Sequence, residues 1–333
     1  MLRELLKKVV AGSSLPEDES RAMTAAIAEG ENPAAAAGLL TALAVRGETV
    51  AELTGCARCL RECMTEVPVK GACADIVGTG GDGGRSFNIS TAAALVAAGA
   101  GVRVAKHGNR AVSGKCGAAD VLEALGVPLE RTPEELAAAV ESRGIAFLFA
   151  RALHPVMAKV APLRRDLGVR TIFNLVGPLA NPAKASAMVV GVYHEKLLRP
   201  FAEVLRNLGV GRALIVHSGD GLDEISSLAP TRFAELRSDG SLADGTILPG
   251  EVLGDAALRS GSLAGGDSAE NRRILLDVLE GRDRTAKRGA VLLNAAALCM
   301  VSGAGASLAE TLPLAAESLD SGAALGKLRE MAE

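Results

Sequence analysis

The chain has 333 residues, enough for one large or two unequal domains with ample core. Its 36 basic and 39 acidic residues leave a net charge of −3, with no long basic run, no Trp and one Tyr. A nucleic-acid surface and a base-stacking platform are therefore not indicated. No apolar stretch reaches the ~18 residues of a membrane span. The opening MLRELLKKVV carries Glu4 and too short an apolar run for a signal peptide, so the expected location is the cytoplasm, with the six cysteines reduced.

Residues 1 to about 66 read as helical. MLRELLKKVV is an amphipathic first helix. LPEDESRAMTAAIAEG has acids in its first turn and Gly at its end. NPAAAAGLLTALAVRG begins with an Asn cap and Pro at the first helical position. TVAELTGCARCLRECM keeps helical spacing, and its Cys56, Cys59 and Cys63 superficially fit an iron–sulfur cluster. No fourth ligand lies near, and offsets of three and seven put all three on one helix face, so a buried stripe is expected.

After Val67-Pro68 short apolar runs alternate with helical stretches. ADIV, VRVAKHG, GIAFLFA, SAMVVGVY and RALIVHSG read as strands. STAAALVAAGAG, AADVLEALG and LLRPFAEVLRNLG read as helices between them, and NRRILLDVLEG, AVLLNAAALCMVSG and LAETLPLAAESLDSG as helices of the tail. This rhythm predicts an α/β domain with a mostly parallel sheet.

Asp75 to Thr91 reads DIVGTGGDGGRSFNIST, with five glycines in seven positions. Gly78, Gly80 and Gly83 match the dinucleotide fingerprint, but the acid needed roughly 20 residues on is missing, since the next after Asp82 is Asp120. Glycines also let backbone N–H groups approach a phosphate, and a helix beginning near Ser90 or Thr91 would add its N-terminal donors. A second loop, KHGNRAVSGKCGAAD, brings cations, hydroxyls and more glycine before another helix. Both would converge on the carboxyl edge of the sheet and hold a polyanion such as a diphosphate; tight strand–helix turns are the plainer alternative for either alone. Asp220, Asp223 and Glu224 follow a strand and could hold Mg²⁺ with substrate phosphates, or form a solvated acidic turn. His154, Lys159, Arg164, Arg165 and Arg170 lie close together, and an arginine among them could grip an acceptor carboxylate, or most could be surface charges.

GTGGDG, KHGNRAVSGK, ADVLEALG, RTIFNLVGPLANP and GDGLDEIS, in this order, resemble the anthranilate phosphoribosyltransferase family over nearly the whole chain. The resemblance implies a nucleoside phosphorylase-like transferase fold. Its small helical domain (1–68 with roughly 155–178) would form a homodimer, and its larger α/β domain (69–333, less that segment) would bind phosphoribosyl pyrophosphate. It implies transfer of the phosphoribosyl group to the amine of anthranilate, with release of pyrophosphate, in tryptophan biosynthesis. Phosphoribosyl pyrophosphate would then meet Gly78, Gly81, Asp82, Ser86, Asn88, Ile89, Ser90 and Thr91 on the first loop. The second loop would add Lys106, His107, Gly108, Asn109, Arg110, Ala111, Val112, Ser113, Gly114 and Ala118. Mg²⁺ would meet Ser90, Asp223 and Glu224, and anthranilate would meet Gly78, Asn109, His154 and Arg164. The catalytic set implied is His107, Lys106, Asn109 and Arg164, with Lys106 beside the leaving pyrophosphate and His107 a candidate base. Gly114, Cys116 and Ala118 stand where serines are common, and Leu153 where an aromatic is frequent. Two rivals are a pyrimidine-nucleoside phosphorylase, whose Asp stands elsewhere after its glycine turn, and a non-catalytic nucleic-acid-binding relative, which would lose the metal acids or gain a basic face.

Overall fold

The computed structural model describes residues 1–81, 84–111 and 114–333. Asp82, Val112 and Ser113, all expected at the phosphate loops, lie outside the described residues. Four helices come first, Leu2–Val10, Glu17–Ala28, Pro33–Arg46 and Val50–Cys63. Their ends follow local chemistry. Asn32 caps the third by accepting the Ala35 N–H, and Thr49 and Glu52 form a capping box on the fourth. Of the cysteine stripe only Cys56 and Cys59 are buried. Cys63, the last residue of its helix, is exposed, because the packed part of this helix ends at Leu60, before its final residues.

Seven strands form one sheet: β1 (Ala74–Gly78), β2 (Val104–Gly108), β3 (Ile145–Phe149), β4 (Ala187–Gly191), β5 (Arg212–Ser218), β6 (Thr231–Leu236) and β7 (Leu242–Ile247). Their spatial order is β3-β2-β1-β4-β5-β6-β7, and the first five are parallel. Alternate side chains enter two cores, as a sheet buried on both faces requires. Ile76, Val104, Val189, Leu214 and Val216 pack on one face, among Leu95, Leu275, Leu293 and Leu298. Ala105, Leu148, Met188, Val190 and Ile215 pack on the other, in a core continuous with Leu39, Leu40, Leu53 and Leu60 of the N-terminal helices. The helices Ile89–Gly99 and Ala286–Val301 are apolar nearly all round and accordingly buried against the first face. Pro155–Leu167 packs on the second, third and fourth helices.

The β6–β7 hairpin has no counterpart in the sequence reading. Only Thr231, Ala234 and Leu236 of β6 and Ile247 of β7 are buried, so this edge carries little apolar pattern to detect. The helices Pro133–Arg143 and Ala323–Ala332 are likewise absent from the sequence reading. Among the described residues no helix is long and apolar enough to cross a membrane.

The chain runs outward from β1 to β2 and β3, then returns to place β4 on the other side of β1. That reversal opens a crevice at the carboxyl ends of β1 and β4, where ligands of open α/β sheets bind.

Candidate active site

The last residues of the two strands at the reversal, Gly78 and Gly191, are paired in register. Both are glycine because Asp223 lies across them. A Cβ at Gly78 would overlap the Asp223 carboxylate, and one at Gly191 would overlap its backbone carbonyl. Asp223 Oδ2 accepts the Gly80 N–H at 2.7 Å, which ties the acidic loop to the glycine loop. The acidic loop is in turn fixed by Asn294, whose side chain accepts the Ile225 N–H at 3.1 Å and donates to the Ile225 carbonyl at 2.8 Å. Asn294 and Gly191 escaped the sequence reading. A single amide inside the apolar run AVLLNAAALCMV was the available signal for Asn294.

Glu224 Oε1 accepts the Ser90 N–H at 3.1 Å, at the N-terminus of Ile89–Gly99. That helix starts at Ile89, one residue before the expected start. Burial and the neighbouring Asp223 carboxylate push Glu224 up to about 8, with Lys106 and Ser90 opposing. Two carboxylates held together against their repulsion, with a hydroxyl beside them, are hard oxygen donors suited to Mg²⁺. Among the described residues no group of three or more His, Cys, Asp or Glu could hold a metal. A cation here would complete its shell from phosphate oxygens or water. Asp220 is engaged otherwise: its carboxylate accepts the Ser226 hydroxyl at 2.7 Å, closing the turn.

The two glycine-bearing loops meet. A Cβ at Gly84 would come within 2.7 Å of the Gly114 Cα, so the glycine at 114 permits backbone contact where a serine would crowd it. Asn88 donates to the Cys116 carbonyl at 3.3 Å, and its Oδ1 accepts from Asn271 Nδ2 at 2.9 Å. Ser86 bridges to Ala264. The Thr91 hydroxyl is buried without a partner among the described residues. Asp120 Oδ2 staples the second loop by accepting the N–H groups of Ala111 (2.9 Å) and Gly117 (2.8 Å). Arg110 turns to Asp120 and Glu123, at 3.0 and 2.8 Å. Asn109 is exposed, and its side chain accepts the Arg110 N–H at 2.8 Å. A Cβ at Gly108 would meet Phe147 at 2.9 Å and the Ala118 Cβ at 3.1 Å, so small residues at both positions close the base of the loop.

On the other side of the crevice, His107 and His154 are buried with their Nε2 atoms 3.2 Å apart. Burial holds His107 well below its usual range, with the His154 and Lys106 charges acting the same way. Burial brings His154 down to about 4 against a backbone hydrogen bond to Ala180. Both rings are therefore neutral at pH 7, one donating to the other. Lys106 is also buried, and its Nζ donates to the carbonyls of Ile76 (2.6 Å) and His107 (3.2 Å). Arg170 donates to the carbonyls of Thr79 (3.3 Å) and Gly80 (3.0 Å), and its guanidinium lies 4.4 Å from the Tyr193 ring centroid. Beside it, Arg164 is half-buried and held below its usual range by burial and by the Arg170 cation, with no offsetting carboxylate among the described residues. Such a cation favours an anionic ligand.

The family models described as "Glycosyl transferase family, a/b domain" and "Glycosyl transferase family, helical bundle domain" match residues 70–325 and 3–64. The chain is 50% identical to an anthranilate phosphoribosyltransferase of Thermomicrobium roseum, covering 99% of this chain and 96% of that one. It is 48% identical to that of Rubrobacter xylanophilus, covering 98% and 96%. It is similar to the crystal structure of the Thermus thermophilus enzyme of that name, with a TM-score of 0.89 and 44% identity over 98% of both chains. It is also similar to the Saccharomyces cerevisiae anthranilate phosphoribosyltransferase in complex with PRPP and Mg (TM-score 0.87, 26% identity, 99% of this chain and 96% of that one).

Proposed function

Since this chain belongs to the anthranilate phosphoribosyltransferase family, we propose that it transfers the phosphoribosyl group of phosphoribosyl pyrophosphate (PRPP) to the amine of anthranilate, releasing pyrophosphate, in tryptophan biosynthesis. The observation that carries this reading is the placement of Asp223. It seals the floor of the crevice between two glycines, binds the glycine loop, and stands beside Glu224 and Ser90. Phosphate loops and a hard-cation site are thereby joined on one edge of the sheet, opposite a cation with no carboxylate of its own among the described residues.

In this reading the loop from Gly78 through Thr91 and the loop from Lys106 through Ala118 hold the ribose phosphate and the pyrophosphate. The N–H groups at the start of Ile89–Gly99 would add to them. Ser90, Asp223 and Glu224 would hold Mg²⁺, which neutralises charge on the departing pyrophosphate when bound. Arg164 would take the anthranilate carboxylate, with Asn109, His154 and Gly78 about the ring and amine. As pyrophosphate leaves, positive charge gathers at the anomeric carbon, so the reaction depends mainly on aligning the amine with that carbon. The neutral His107–His154 pair can accept a proton from the incoming amine. Lys106 would act on the phosphate side through the carbonyls it binds and through its charge near Glu224. We assign residues 1–68 with 155–178 to a helical domain that forms a cytoplasmic homodimer, and the rest to the PRPP-binding domain.

Purified protein with PRPP, Mg²⁺ and anthranilate should quench anthranilate fluorescence, and omission of PRPP or the metal should stop it. Phosphorolysis of thymidine or uridine without anthranilate consumption would move the chain to the phosphorylases. Binding of labelled single-stranded DNA without turnover would make it a non-catalytic relative.

A further inference from the structure

Asp75 lies within β1 and is fully buried. The reaction described above gives it no part. A carboxylate at that depth persists only where its oxygens are bonded, and its bonds are specific. Oδ1 accepts the His107 N–H at 3.0 Å, and Oδ2 accepts Asn181 Nδ2 at 2.8 Å. The Asn181 amide nitrogen also donates to the Ala105 carbonyl at 2.9 Å, and its Oδ1 accepts the Ala183 N–H at 2.8 Å. Lys106 Nζ joins the Ile76 and His107 carbonyls across the same gap.

These bonds replace something. β1 and β4 are in register over five residues, as are β2 and β3. β1 and β2 are in register only at Ala74 and Val104. Beyond that point no further residues of the two strands are paired. The N–H of His107 and the carbonyls of Ile76, Ala105 and His107 are bonded by three side chains where strand neighbours would ordinarily bond one another. The gap lies where the two strands approach the crevice. β1 leads into the loop that begins at Gly78, and β2 delivers His107 and the second loop.

We propose that Asp75 is a positioning residue for this site. Clamped by Asn181, its carboxylate fixes the His107 backbone relative to β1, and so sets the spacing between the glycine loop and the acceptor-side histidine. The inference rests on the transferase reading for its kinetic consequence, but the clamp itself can be observed without turnover. An amine must be aligned with the anomeric carbon as pyrophosphate leaves, and a displacement of about 1 Å in such an arrangement can cost about 10²-fold in rate.

The test uses full-length protein labelled with ¹⁵N-histidine, which carries only four such amides. In Asp75→Asn the new amide can serve His107 or Asn181 but not both. With its oxygen toward His107, its NH₂ faces the Asn181 NH₂, donor against donor. The His107 amide resonance is expected to move upfield while those of His194 and His217 stay. In the same protein kcat should fall about 10²-fold, with KM for each substrate within about threefold of wild type. Asn181→Ala, which releases the outer carboxylate oxygen, should shift the same resonance, and it decides the matter should Asp75→Asn not fold. An unmoved His107 amide overturns the proposal. So does an unchanged kcat, or a loss confined to KM or to melting temperature. Absence of transferase turnover in the wild type would sink the reading of the reaction alone, leaving the amide shift to decide the clamp.

Discussion

Asp223 and Glu224 are neighbours in sequence with different tasks: one seals the strand ends and binds Gly80, the other binds the Ser90 N–H. Asp223→Asn with Glu224→Gln keeps their shapes and removes both charges. Mg²⁺ would lose its hard ligands, and turnover is expected to fall on the order of 10²-fold or more. An unchanged rate across a magnesium titration would reduce the loop to a structural turn. We assign Arg164 to the acceptor half of the crevice. Arg164→Ala should lower specificity for anthranilate by about one to two powers of ten, the worth of a charge-assisted pair. Arg164→Lys should fall well short of wild type, because the planar fork is lost. PRPP affinity should barely move, and calorimetry with each ligand separately checks this. A mutant that loses PRPP and keeps anthranilate places the arginine wrongly. The histidine pair gives a pH signature. His154 sits at about 4 in the folded chain, against about 6.5 unfolded. The unfolded state therefore binds more protons between these values. Stability is full above pH 6.5 and falls as pH drops toward 4, by about 3 kcal/mol for His154 alone. Thermal melts from pH 7.5 to 4.5 should show a steeper acid decline in the wild type than in His154→Asn; parallel curves would show that the ring is not held neutral by burial.

At the level of elements, Asn294 is the most informative residue. It lies in a helix that is otherwise nearly all apolar and reaches the acidic loop by two hydrogen bonds to one residue, Ile225. Asn294→Ala leaves a buried N–H and a buried carbonyl unpaired, at about 1–3 kcal/mol for each. It also frees the segment that carries Asp223 and Glu224. A lowered melting temperature together with a raised magnesium requirement is expected, and a lowered melting temperature with an unchanged magnesium titration would show that the clamp serves the fold alone. Such supports are what the sequence could not show. ADIV, VRVAKHG and RALIVHSG announce strands because their apolar runs are short, β-branched and bounded by glycine. The four N-terminal helices announce themselves by caps and spacing. GTGGDG and KHGNRAVSGK mark their own loops because only glycine tolerates the close approaches seen at Gly78 and Gly108. The β6–β7 hairpin carries too few inward apolar residues to be read. Asp75, Asn181 and Asn294 were hidden for another reason: each acts across more than thirty residues of chain, on backbone groups that no local pattern reveals.

At the scale of the whole molecule, we assign the reaction to the crevice at the carboxyl edge of the sheet, whereas the two most exposed large apolar side chains among the described residues, Val10 and Val45, lie on the N-terminal helices. Between Leu2–Val10 and Pro33–Arg46 runs a groove lined by Val9, Val10, Ala37, Gly38, Ala42 and Val45. Val10 is 70% exposed and Val45 84%, among the largest exposures of any apolar side chain here. Gly38 sits at the helix face where Leu6 approaches, and an added Cβ would meet Leu6 at 3.2 Å, so the two helices lie close and leave a shallow strip rather than a deep cleft. An exposed apolar strip of this kind suits a docking surface, and we propose that a second copy buries it in a two-fold, self-complementary contact. Val10→Asp with Val45→Asp places charges in that strip without touching either core. Sedimentation equilibrium should show a dimer for the wild type and a monomer for the double variant. Because the proposed site draws on the residues of a single chain, kcat per chain should be unchanged in the monomer, while its melting temperature should fall with the loss of the partner's stabilisation. A wild-type monomer at micromolar concentration, or a variant that remains dimeric, would remove the N-terminal helices from the interface. Loss of kcat in a folded monomer would mean instead that the partner contributes to the site, and the division between an interface made by the helices and a reaction carried by the sheet edge would fail.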